Sequence, residues 1–144
     1  DIPPLNYERV YLLKQEFPQL EIIINGGIQS LDECLAHLEK VDGVMVGRAA
    51  YHNPLMLLDV DRRIYGDHHE IPGEKALLDQ ICAYIEHEMT QGAKLKYISR
   101  HIIGLFQNRP GARQWRRYIS ENAHSDDATI DVIRKAASLV PGLT

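Results

Sequence analysis

Apolar residues change their spacing part-way along this chain, and the change divides it in two. Up to about residue 66, helical periods alternate with short continuous apolar runs. Val10, Leu13 and Phe17 stand at helical spacing within 6–17, and Pro18 closes that segment. Ile22-Ile23-Ile24 then reads as a parallel strand covered on both faces. Ser30 and Glu33 form an S-x-x-E capping box, in which each side chain satisfies a free amide at a helix start. Leu31, Leu35 and Leu38 give that helix its inner stripe, and Gly43-Val44-Met45-Val46 predicts the next buried strand. Asn53-Pro54 has the N-cap and first-turn proline of a further helix, running through Leu57, Leu58 and Ile64 to about Gly66.

Helices and strands in alternation, joined by loops of a few residues, predict parallel α/β architecture with both strands in one sheet. Two parallel strands leave open edges. Further strands are therefore expected, either from partner chains or from a larger barrel inside which Asp1 falls. Residues 67–73, Asp-His-His-Glu-Ile-Pro-Gly, are polar and turn-forming and read as a linker. Beyond them the strand signal stops. Amphipathic helices are predicted over 74–90, 94–107, 110–123 and 129–140, and their short connections imply a helical bundle. The expected organisation is α/β over 1–66, followed by an all-α part over 74–144.

Composition fits a globular protein: 44% of the 144 residues are hydrophobic and 25% charged. No apolar run approaches the roughly 18 to 20 residues that span a bilayer. Asp1-Ile2-Pro3-Pro4 has neither the basic start nor the apolar stretch of a signal peptide, so the cytoplasm is the expected location, with no membrane partner. Cys34 and Cys82 stand far apart and outside any ligand pattern, which argues against a disulfide framework and a zinc site. Cys34 falls among leucines, where a raised thiol pKa makes it a poor nucleophile. Charge is segregated. The net charge of −4 is +7 between Ala93 and Tyr118, which holds seven cations and no carboxylate, and −11 elsewhere. A basic block on an acidic chain points to an anionic partner.

Two short motifs carry candidate chemistry. Asn25-Gly26-Gly27 follows a predicted strand and precedes a capped helix, and Gly47-Arg48 follows the next strand. Both loops leave the same end of a parallel sheet, where barrel enzymes bind phosphate after their last strands. Glycines let backbone amides approach an anion, and an arginine pairs with it bidentately. A tight turn at Gly26-Gly27 and a structural ion pair at Arg48 are the alternative. In the helix from Pro110, Arg113, Arg116 and Arg117 share one side, opposite Ala112, Trp115, Tyr118 and Ile119. Arg100, His101 and Arg109 extend that basic face, which suits a phosphate backbone, whereas Trp115 reads as core. His68-His69 reads as linker and not as a metal site.

Three stretches resemble one family. Ile24-Asn25-Gly26-Gly27-Ile28, Asp42-Gly43-Val44-Met45-Val46-Gly47-Arg48 and, most specifically, Arg100 to Gln107 followed by Pro110-Gly111-Ala112-Arg113-Gln114-Trp115-Arg116-Arg117 are similar to bacterial tRNA-dihydrouridine synthase A. The resemblance covers nearly the whole chain. It implies the last two βα units of an FMN-binding (β/α)8 TIM barrel, then a helical tRNA-recognition domain. It implies reduction of the C5=C6 bond of uridine 20 or 20a in the tRNA D-loop, with NADPH as the electron source. Under it Asn25, Gly26, Gly27, Gly47 and Arg48 hold the FMN phosphate, and Arg113 and Arg116 contact tRNA. The family's catalytic cysteine has no counterpart here, so no catalytic residue is assigned and the isolated chain is expected to lack synthase activity. A non-catalytic RNA-binding helical module and another phosphate-binding barrel are the competing readings.

Overall fold

A computed structural model describes residues 4–143, so Asp1, Ile2 and Pro3, which bear on the expected lack of a signal peptide, lie outside the described residues. The chain forms two compact units that part between His69 and Glu70.

The first unit begins with helix α1 (Tyr7–Glu16), whose N-cap Asn6 accepts the Arg9 amide at 3.2 Å. Its inner face is the predicted one only at Val10. Tyr7, Val10 and Tyr11 pack into the core, while Leu13 and Phe17 are 45% and 38% exposed. Tyrosines carry a large apolar ring under a polar tip, so the two at i and i+4 outweigh the aliphatic stripe. Strand β1 (Ile23–Asn25) and strand β2 (Gly43–Met45) follow, separated by helix α2 (Leu31–Leu38). They pair in parallel with Ile23 opposite Gly43, Ile24 opposite Val44 and Asn25 opposite Met45.

Ile24 is buried with Ile28, Leu31, Cys34 and Val41. On the other face Ile23 and Met45 are 58% and 48% exposed, so the strands expected to be covered on both faces are covered on one. Ser30 Oγ accepts the Glu33 amide at 3.2 Å, and Glu33 Oε2 accepts the Gln29 amide at 2.7 Å, one residue ahead of the usual capping-box partner. Asp42 ties the far end of the sheet by accepting from Lys14 Nζ at 2.7 Å and the Ile22 amide at 2.8 Å. These bonds, the Lys14 one first, hold its carboxyl below the usual range.

After β2 the predicted single helix from Asn53 is three pieces. Helix α3 (Arg48–His52) starts earlier, a 3-10 helix covers Pro54–Asp59, and helix α4 (Val60–Ile64) ends the run. Pro54 has no amide to continue α3 and forces the break, and Asn53 makes no side-chain cap. Residues 67–73 adopt no helix or strand.

The second unit is helical: α5 (Glu74–Thr90), α6 (Leu95–Ser99), α7 (Ala112–Asn122) and α8 (Asp131–Ala137). The helix predicted over 94–107 stops at Ser99 and gives way to successive three-residue turns, such as Leu105 N to Ile102 O at 3.0 Å and Gln107 N to Gly104 O at 3.1 Å. Packing outweighs helix continuation there. Trp115 is fully buried, donates its Nε1 to the Ile102 carbonyl at 3.2 Å and meets Phe106 edge-on at 4.9 Å, as its reading as core requires. Cys34 and Cys82 are buried, and burial pushes both thiols up. Among the described residues no helix is long and apolar enough to cross a membrane, and no group of three or more His, Cys, Asp or Glu could hold a metal.

Candidate functional site

The register of the β1–β2 pair fixes where the two motifs stand. Asn25 and Met45 are opposite each other at the carboxyl end of a parallel pair, so Gly26-Gly27 and Gly47-Arg48 leave the same edge of the sheet. Gly26 and Gly27 have φ of +123° and +67°, conformations that favour glycine. A Cβ at either position would come within 2.9 Å of a Leu5 methyl, and at Gly27 within 3.3 Å of the Tyr7 hydroxyl. Local geometry alone therefore demands these two glycines, as the tight-turn reading holds.

Gly47 differs. Its φ is −100°, and an added Cβ would meet only the flexible Met45 thioether at 3.8 Å. Packing does not call for glycine at this loop, and the open space leaves room for a ligand to reach the main chain. Arg48 is exposed, and among the described residues it pairs with no carboxylate. An exposed guanidinium beside an open glycine, on the same edge as a second glycine loop, suits an oxyanion.

The basic block of the second unit is reduced by its own neighbours. Lys94 and Lys96 share Asp126 at 2.8 and 3.4 Å, which lowers the Asp126 pKa and raises that of Lys94. Arg109 is ion-paired to Glu74 in the first turn of α5 and reaches the Pro141 carbonyl, which makes it a strut and not an open donor. Arg117 is held by Glu121 one turn on, at 2.7 Å. Arg100, Arg113 and Arg116 remain exposed with no carboxylate partner among the described residues, and Arg100 Nε lies 3.0 Å from the ring of His101. The buried side of α7 is Ala112, Trp115 and Ile119, so Arg113 and Arg116 project from a rigid, well-packed helix.

The sequence description of dihydrouridine synthases (Dus) matches residues 1–140. The chain belongs to the dihydrouridine synthase family. Relatives named tRNA-dihydrouridine(20/20a) synthase are 55% identical over 140 residues in Shigella flexneri, 54% over 140 in Escherichia coli K12 and 48% over 141 in Vibrio cholerae serotype O1. These alignments cover 97 to 98% of the present chain but 41 to 43% of each relative. The chain therefore spans about two fifths of the length of the curated relatives it matches.

In this dihydrouridine synthase family member several residues around the glycine loop carried no signal in the sequence. Tyr7 Oη donates to the Gly26 carbonyl at 2.5 Å, Leu5 packs over both glycines, and the buried His37 accepts from or donates to Tyr11 Oη at 2.6 Å while its ring meets Tyr7 edge-on at 4.7 Å. These contacts join residues 19 to 30 positions apart. No local pattern announces them.

Proposed function

We propose that this chain supplies the carboxy-terminal part of a flavin-dependent tRNA-dihydrouridine synthase acting on uridine 20 or 20a of the D-loop. In this reading β1 and β2 are the last two strands of a TIM barrel. The exposed Ile23 and Met45 support it: they stand on one face of an open sheet, where further strands closing a barrel would bury them.

The net reaction adds a hydride and a proton across the C5=C6 bond of uridine and oxidises NADPH to NADP+. The chemistry FMN supplies when bound is hydride delivery to C6. What this chain contributes is binding. The main chain at Gly26-Gly27 and Gly47 approaches the flavin phosphate, Asn25 adds a polar side chain at the strand end, and Arg48 neutralises the dianion with forked donors. Arg113 and Arg116 contact the tRNA backbone, with Arg100 and His101 extending that surface, whereas Arg109 and Arg117 act mainly through their carboxylate partners. The proton for C5 is assigned to a group outside this chain, since the thiols of Cys34 and Cys82 are both buried away from solvent.

The observation that carries the phosphate assignment is Arg48, exposed beside Gly47 with no carboxylate among the described residues. Its test compares FMN with riboflavin, which lacks the phosphate, on the complete synthase carrying this segment. Arg48→Ala is expected to raise the Kd for FMN by roughly tenfold or more, the worth of a charge-assisted hydrogen bond, and to leave riboflavin binding unchanged. Equal affinity of the wild type for both flavins would remove the phosphate grip from the account.

A further inference from the structure

The geometry points to Tyr7 as a positioning residue that sets the direction in which the Gly26-Gly27 peptide presents its amide. This rests on the phosphate reading of the glycine loop given above, and it adds a residue to which no role has been assigned.

A trans peptide is planar, with its carbonyl and its N–H directed to opposite sides. Holding the Gly26 carbonyl therefore also holds the Gly27 N–H. The Tyr7 hydroxyl donates to that carbonyl at 2.5 Å, so the Gly27 N–H is turned away from α1. A peptide between two glycines is the one most free to flip, because neither residue has a Cβ to forbid the alternative backbone conformation. Flipped, it would offer a carbonyl oxygen where an anion needs a donor.

Tyr7 is itself held. Its ring lies edge-on to His37, with centroids 4.7 Å apart and planes at 71°, and His37 is hydrogen-bonded to Tyr11 Oη at 2.6 Å. His37 belongs to α2, the helix that begins just after the loop, so the loop is clasped between the start of α1 and the body of α2. Lys40 Nζ stands 4.4 Å over the Tyr11 ring and Leu5 fills the remaining space against both glycines. Among the described residues the Tyr7 hydroxyl has one hydrogen-bond partner, the Gly26 carbonyl.

Tyr7→Phe in the complete synthase removes the hydroxyl and keeps the ring against His37. Titration with FMN and with riboflavin reads the effect. The Kd for FMN is expected to rise about fivefold, the worth of one hydrogen bond, while that for riboflavin stays at the wild-type value. Unchanged FMN affinity, or equal weakening of FMN and riboflavin, would overturn the positioning role; the second result would mark Tyr7 as a general support of the fold. If instead the wild type itself binds both flavins equally, the phosphate site is the part that fails.

Discussion

Gly111 stands where the start of α7 meets the carboxy-terminal turn, at a φ of +86°. A Cβ there would lie 2.4 Å from the Leu139 carbonyl oxygen and 2.7 Å from Val140 Cα, both main-chain atoms that no side-chain rotation moves aside. Gly92 has a similar φ of +95° but open space around it. The pair separates conformational strain from collision. Gly111→Ala is expected to destabilise the second unit by about 3 kcal/mol and Gly92→Ala by about 1 kcal/mol. Urea unfolding followed by the fluorescence of Trp115, the sole tryptophan, measures both. The sequence marks Pro110-Gly111 as a helix start, yet the reason for glycine lies at Leu139 and Val140, where no local reading reaches. Gly26 and Gly27 show the converse: their place after a strand was legible, and the Leu5 and Tyr7 side chains packed against them were not.

Among the helices, the sequence was most informative where one periodic face meets the core and least where packing interrupts the backbone. The buried stripe of α7, Ala112, Trp115 and Ile119, follows from its spacing alone. The turns after α6 do not, because the Ile102 carbonyl is taken by Trp115 from another helix and Phe106 is drawn into the core beside it. Charge was legible as composition but not as pairing. Counting cations predicts a block of seven, and only the fold shows Glu74, Glu121 and Asp126 occupying four of them. For the proposed contact with tRNA this has a measurable consequence. Each phosphate contact contributes to the slope of log Kd against log salt, so Arg113→Ala and Arg116→Ala in the complete synthase should each reduce that slope by about 1 for tRNA. Arg117→Ala, whose partner already neutralises it, should reduce it by less. Equal slopes for all three variants would mean that the Glu121 pairing does not survive contact with RNA.

Across the whole chain, the change of apolar spacing near residue 66 corresponds to a real change of architecture, from a parallel pair with helices to helices alone. Parallel pairing and strand order were readable because short loops leave few alternatives. What the spacing could not supply is the cover of the second sheet face: Ile23 looks like any core isoleucine in sequence and is 58% exposed in the structure. That exposed face and the two glycine loops on one sheet edge are what a barrel-enzyme reading explains and a free-standing helical module does not. The decisive measurement is the dihydrouridine content of tRNA at positions 20 and 20a, read by mass spectrometry, in cells lacking the gene that encodes this chain and in the same cells with the gene restored. Dihydrouridine is expected to disappear from those two positions on deletion and to return on restoration, while the other modified uridines are unchanged. Persistence of dihydrouridine at both positions after deletion would contradict the proposed function.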